Sequence, residues 1–398
     1  MIEGRDIIVH GLQGLDSAIG SNCINIANEF AKKNRVLYVN FPIDRLTLLR
    51  HGSNPTIKIR KDVLAGKIPD LVKVTDSMWN LNPKAKLESI SKVTFKPLFK
   101  FLNKINNKRY AQEIKKAIDK LGFKDYIIFN DSDFYRAFHF KDFLKPSLSI
   151  YYTRDNMRAT IFFKKNGAYF EDLLMNKSDL VVSNSMYLND IAKSSNPNSV
   201  YVGQGCDVTL FNKDIITTVP PDIKSINSPI IGYIGALKSS RLSIEVLEHI
   251  AMSKPDWSVV LVGPEDDNFM KSNLHNMKNV HFLGSKPEVE LPEYLNAFDV
   301  AINPQSLNEL TIGNYPRKID EYLAMGKPVV ATLTSTMEVF RDYTYLAKNK
   351  EEYVDLIKEA LAEDSDENSE LRIKFANTHT WENNVQAIYE AINNTNKE

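Results

Sequence analysis

The sequence is poor in cysteine, with only Cys23 and Cys206 in 398 residues. The two lie far apart and follow no metal spacing. That excludes a disulfide framework and points to a reducing compartment. Net charge is also missing. Lys+Arg and Asp+Glu both number 50, which argues against a general nucleic-acid coat but leaves room for a local basic patch. No apolar run approaches the ~20 residues a membrane-spanning helix needs. No signal peptide is recognisable, because "MIEGRDIIVHG" leads straight into a strand. The expected location is cytoplasmic, with peripheral contact at the inner face of the membrane allowed. A dinucleotide fingerprint is lacking too. The Gly-rich segment "HGLQGLDSAIGSN" (10–22) has G-x2-G-x5-G spacing, not G-x-G-x-x-G, which argues against a nicotinamide or flavin enzyme.

What is present is ordinary globular composition, 43% hydrophobic and 25% charged, over a length too great for one core. Strand and helix alternate. "DIIVHG" (6–11), "RVLYVNF" (35–41), "LSIYYT" (148–153) and "LVVSNS" (180–185) read as buried strands. In the helix between the first two, Cys23, Ile26, Ala27 and Phe30 share a face. Residues 214–229, with two adjacent prolines, interrupt the rhythm as a linker. The alternation then restarts through "IIGYIGAL" (230–237), "SVVLVGP" (258–264), "VHFLG" (280–284), "FDVAINP" (298–304) and "PVVAT" (328–332). Two doubly wound α/β domains are expected, over 1–218 and 230–375, with a final helix in 376–398 crossing back to the first. Ligands of such sheets bind beyond the carboxyl ends of the strands, so a cleft between the two domains is the expected site.

One stretch carries most of the chemistry: "GNYPRKIDEYLAMGKPVVAT" (313–332). Asn314 suits an N-cap and Pro316 a first turn, with Gly326 as the stop. Lys318, Glu321 and Tyr322 then share a helical face. A cation near a helix N-terminus suits phosphate, and a carboxylate one turn on can accept two hydroxyl hydrogens from a ribose diol. A nucleoside diphosphate has both features. A solvated Lys–Glu surface pair is the plainer alternative.

The segment resembles the donor site of GT-B glycosyltransferases of the bacterial surface-polysaccharide type, especially glycosyltransferase family 4. "YYTRDN", "SDLVVSNSMYL", "VGQGCDVTLF", "IGYIGALKSSRL", "VLVGP" and "HTWENNV" follow in the order that resemblance requires. It implies two Rossmann-like domains facing across a cleft, with the acceptor on the first and the donor on the second. Glu321 would hold the ribose and Lys318 the pyrophosphate, with Lys238 and Arg241 as further phosphate partners. Fixed cations of this kind stabilise a leaving nucleoside diphosphate without a metal. UDP is preferred to GDP, no separate cofactor is implied, and the acceptor would be a glycan or lipid-linked glycan. Many members carry Glu-x7-Glu, but Gly313 stands where the first Glu would be. Glu309 or Asn314 is left to grip the sugar.

In the first domain, Asp155 of "YYTRDN" follows a strand and is the candidate base, or alternatively a helix cap. Gly14, Asp16 and Gly20 are candidates for a cleft loop, or for a mere turn capped by Ser21 or Asn22. "FNDSDF" (129–134) imitates an Asp-x-Asp metal motif but is read as a decoy, and His10 and His139 as structural. Residues 84–109 are basic with Phe95, Leu98, Phe99, Phe101 and Leu102 interleaved. They suggest contact with an anionic membrane, although Pro97 is expected to break any single helix there. No nucleic-acid partner is expected. The rival functions are a UDP-sugar epimerase of the same fold and an inactive binding protein on the same frame.

Overall fold

A computed structural model of the chain describes residues 2–17, 21–49, 54–90, 93–159, 163 and 167–395. The chain divides into two compact units. One is Met1–Gly203 with Asn384–Glu398; the other is Gln204–Asn383.

The first unit is built on eight strands: β1 (Asp6–Gly11), β2 (Arg35–Val39), β3 (Leu71–Lys73), β4 (Met78–Leu81), β5 (Ile127–Asp131), β6 (Leu148–Thr153), β7 (Leu180–Ser183) and β8 (Ser199–Tyr201). Their order in the sheet is β3-β4-β2-β1-β5-β6-β7-β8, and among the described residues only the β3–β4 pair is antiparallel. β1, β5, β6 and β7 are buried at every residue, which is why they read as unbroken apolar runs. The helix Asn22–Ala31 buries Cys23, Ile26, Ala27 and Phe30 as its spacing predicts. The Ser21 hydroxyl caps it by accepting from the Ile24 N–H at 3.3 Å. On one face of the sheet, Ile8, Leu37 and Ile128 pack with Tyr110, Ile114 and Ile118. Each such side chain contributes about 1.5–3 kcal/mol by leaving water.

Pro97 does not break the basic segment. It lies in the first turn of one long helix, Lys96–Leu121, where its missing N–H has no intrahelical partner to lose. Gly122, at φ 63°, ends that helix.

The second unit holds β9 (Ile230–Ile234), β10 (Ser258–Val262), β11 (Val280–Gly284), β12 (Val300–Asn303), β13 (Val329–Thr332) and β14 (Tyr345–Ala347). All are parallel, in the order β11-β10-β9-β12-β13-β14. Gly232 in β9 makes room for Phe298, because a Cβ there would lie 2.1 Å from the Phe298 ring. The chain passes between units at Gly203–Gln204, ahead of the proline-marked stretch. Ile223, in the stretch expected to be linker, and Phe211, expected in the first domain, instead lie in the core of the second unit.

The terminal helix Trp381–Thr395 starts in the second unit, where the Trp381 ring occupies the space a Gly205 side chain would need. From Asn384 onward it belongs to the first unit. Asn384 Nδ2 donates to the Val202 and Gly203 carbonyls at 2.9 and 2.8 Å, and the Tyr389 hydroxyl accepts from Asn34 Nδ2 at 2.9 Å.

Candidate functional site

At the carboxyl end of β9, Gly235 adopts φ 143°, and a Cβ there would sit 2.6 Å from Lys318 Nζ. That φ favours glycine, and an added side chain would push against the lysine. Lys318 Nζ lies 4.0 Å from the centroid of the Tyr233 ring and donates to its hydroxyl at 2.5 Å. The Tyr322 hydroxyl accepts from the Ile234 N–H at 3.0 Å and donates to the Ile234 carbonyl at 3.2 Å. It thereby fastens the helix carrying Lys318 to the end of β9. Burial pushes the Tyr322 phenol well above its ordinary pKa, so it stays a neutral donor–acceptor.

That helix is Lys318–Ala324, with Gly326 at φ 71° beyond it. Asn314 is not its cap. Arg317 holds the cap position without a side-chain cap bond. The Asn314 N–H turns back to the Thr311 carbonyl at 3.1 Å, so the chain makes a separate turn before the helix begins. Asn314 is nonetheless buried. Its carbonyl accepts from Thr336 Oγ1 at 3.0 Å, while its Oδ1 has no partner among the described residues.

Lys318 and Glu321 are both half-buried. Glu321 Oε1 accepts from Arg317 Nε at 3.0 Å. Neither Arg317 nor Tyr233 was singled out in the sequence. The i,i+4 spacing of Arg317 and Glu321 was a readable signal, whereas nothing local points from Tyr233 to a lysine 85 positions away.

Lys238 and Arg241 are exposed on the loop after β9. That loop is laced to the loop after β12. Ser306 N–H donates to the Arg241 carbonyl at 2.9 Å, Asn308 Nδ2 to the Ser240 carbonyl at 2.9 Å, and Ser243 N–H to the Pro304 carbonyl at 2.8 Å. The structure therefore brings Lys238, Arg241 and Glu309 onto loops beyond the carboxyl ends of β9 and β12, with Lys318 at the start of the helix tied to β9. Glu309 is exposed there. Between Lys318 and Glu321 on the same helix, the buried Asp320 accepts from His379 Nδ1 at 2.7 Å and from the Tyr315 hydroxyl at 3.2 Å. Burial raises the Asp320 pKa against these bonds.

In the first unit Asp155 follows β6 and accepts from Arg154 Nη1 at 3.0 Å. Arg154 Nε also donates to both oxygens of Asp131, at 2.8 and 3.0 Å. Asp155 is thus held by an arginine. Asp16 does not stand free. It forms a two-pronged pair with Arg60, at 2.8 and 3.0 Å. A Cβ on Gly14 would come within 2.4 Å of Asp16 Oδ1, so the glycine allows that closure. Gly20 lies outside the described residues. Of the apparent metal motif, Asp131 serves Arg154 and Asp133 serves His10 and Arg136. Both aspartates have charge partners, and no metal-ligating cluster exists among the described residues.

A cavity of about 400 Å³ opens in this unit beyond the carboxyl ends of β2 and β5, lined by residues that include Phe41, Ile43, Arg60, Asp133, Tyr135 and Arg136. The guanidinium carbons of Arg60 and Arg136 lie 5.6 and 4.8 Å from the Phe41 ring centroid. Its size falls in the range of small-ligand pockets.

Two doubly wound units in one chain are the architecture of the GT-B fold. Residues 228–363, wholly within the second unit, match the family described as Glycosyl transferases group 1. A relative in Bacillus subtilis strain 168, TuaH, is 32% identical over 159 residues, and its name assigns it provisionally to teichuronic acid biosynthesis as a glycosyltransferase. The match covers 38% of this chain and 40% of that relative. Among solved structures, sucrose-phosphate synthase from Thermosynechococcus elongatus aligns with TM-score 0.69 at 13% identity over 98% of both chains. Anabaena Alr3699/HepE in complex with UDP aligns with TM-score 0.64 at 15% identity, covering 98% of this chain and all of the other. At such identities the likeness is one of fold.

Proposed function

We propose that the chain is a glycosyltransferase that moves a sugar from a nucleoside-diphosphate donor to a hydroxyl of a glycan acceptor in surface-polysaccharide synthesis. The observation carrying this reading is the pair on the helix Lys318–Ala324. A lysine is braced over Tyr233 at the end of β9, with a half-buried carboxylate one turn further on, inside the segment that matches a glycosyltransferase family. Lys318, Lys238 and Arg241 receive the diphosphate, whose charge grows as the glycosidic bond breaks, and fixed cations stabilise that charge without a metal. Glu321 exchanges Arg317 for the ribose diol. The orphan Oδ1 of Asn314 and the exposed Glu309 are the groups left for the transferred sugar.

UDP is the favoured nucleotide, which agrees with its presence in the Anabaena relative of like fold. The acceptor enters the cavity beside Phe41, Arg60 and Arg136, and Asp155 orients or deprotonates its hydroxyl. The test is a thermal-shift screen with UDP, GDP, CMP and dTDP sugars, with and without a chelator. UDP at 100 times its Kd stabilises by about 2.7 kcal/mol. Indifference to every nucleotide sugar would end the reading.

A further inference from the structure

The first half of the helix Lys96–Leu121 has two unlike faces. Phe99, Asn103, Asn106, Asn107 and Tyr110 are buried. On the other side Lys96, Lys100, Lys104 and Lys108 are all exposed, and their spacing of four runs them along one flank of the helix. Neighbouring lysines are neutralised: Lys115 by Asp119, Lys116 by Glu113, Lys141 by Asp179 and Lys177 by Asp142. None of the four in the stripe is paired with a carboxylate among the described residues.

Large apolar side chains lie against this stripe. Phe95 is 66% and Phe101 62% exposed, and Leu98, Tyr169 and Leu173 are exposed too. Tyr169, Phe101 and Leu173 form a connected surface with the lysines, and Leu98 stands one helical turn before Phe101. Lys100 Nζ donates to the Tyr169 hydroxyl at 2.8 Å, and Lys96 also lies over the Tyr169 ring, 5.7 Å from its centroid. Phe101 and Leu173 line the same depression, of about 290 Å³, with Lys100 and Lys104. Single exposed apolar residues need no explanation, but a connected group rimmed by unpaired cations marks an interaction surface.

We propose that this face docks on an anionic lipid bilayer. A bilayer offers both requirements within ~5–10 Å of depth, anionic headgroups for the lysines and acyl chains for Phe95, Leu98, Phe101 and Leu173. Single-stranded nucleic acid would satisfy the lysines and stack on phenylalanine, but it gives Leu98 and Leu173 nothing. The inference does not rest on the transferase reading, since it concerns a surface of the first unit alone.

The test uses the full chain in co-sedimentation with phosphatidylcholine vesicles, with and without phosphatidylglycerol. Binding is expected only with phosphatidylglycerol and weakens as salt is raised. Changing Lys96, Lys100, Lys104 and Lys108 together to Gln weakens it at least about tenfold. Phe101→Ser weakens it at unchanged charge. Thermal stabilisation by UDP, measured in parallel, stays as in the parent, which separates a lost surface from a lost fold or a failed donor reading. Equal binding to neutral vesicles, full binding by the four-lysine variant, or retention on single-stranded RNA with no binding to vesicles would overturn the proposal.

Discussion

Lys318 Nζ sits 4.0 Å from the centroid of the Tyr233 ring and donates to the Tyr233 hydroxyl at 2.5 Å. The contact fixes a flexible cation before any ligand arrives, which lowers the ordering cost of binding an anion. If Lys318 receives the diphosphate as proposed, Lys318→Ala removes a charge-assisted hydrogen bond to phosphate and should weaken UDP binding by about 10–100-fold. Tyr233→Phe keeps the ring under the ammonium and loses only the hydroxyl, so a smaller loss of about 3–10-fold is expected. Calorimetric titration with UDP distinguishes the two. Equal, negligible effects would place the diphosphate elsewhere.

Glu321 is engaged by Arg317 at 3.0 Å, and the proposed role requires it to turn to the ribose. The diagnostic ligand is 2′-deoxy-UDP. The parent chain should prefer UDP over the deoxy analogue by about tenfold, the worth of one hydrogen bond to a charged group. Glu321→Gln should lose most of that preference while keeping its affinity for inorganic pyrophosphate. A Gln variant that still discriminates between the two nucleotides removes Glu321 from the ribose.

How far the sequence reveals this arrangement depends on the range of the interaction. Strands buried on both faces announce themselves, and β1 and β6 keep the limits their apolar runs suggest. Three-residue strands such as β3 and β14 have too few positions for any period to show. Pro97 looked like a break because proline is disruptive inside a helix, yet it occupies a first turn, where it is tolerated. The neighbouring placement of Lys318 and Glu321 on one helix was legible because helical spacing alone gives it. Asp16 was not, because its partner Arg60 lies 44 positions away and a tertiary ion pair leaves no local mark.

Gly235 offers a test of the same site through the backbone. Its φ of 143° is unfavourable for any side chain, and an added Cβ would lie 2.6 Å from Lys318 Nζ and 3.0 Å from the Tyr233 hydroxyl. Gly235→Ala should cost about 1–3 kcal/mol of stability and also displace the lysine. Urea unfolding and UDP titration on the same variant read the two effects. Unchanged UDP affinity in a destabilised variant would show that Lys318 is not needed where it stands.

The first unit carries an acid-sensitive device in Asp133. The residue is fully buried, which by itself opposes ionisation, but Arg136 and the hydrogen bond from His10 hold its carboxyl well below the ordinary range. In the unfolded chain the same group titrates near pH ~4. The folded protein therefore binds fewer protons than the unfolded one below that pH. The stability contributed by ionised Asp133 is present above about pH 4 and is lost as the pH falls toward the folded-state pKa. Asp133→Asn leaves Arg136 without its counter-charge and should cost about 3 kcal/mol at neutral pH, as expected for breaking a buried pair from one side. It should also flatten the fall in stability on acidification. Urea midpoints measured across pH 3 to pH 7 test both. A variant whose stability falls as steeply in acid as the parent's would assign the acid sensitivity to other carboxylates.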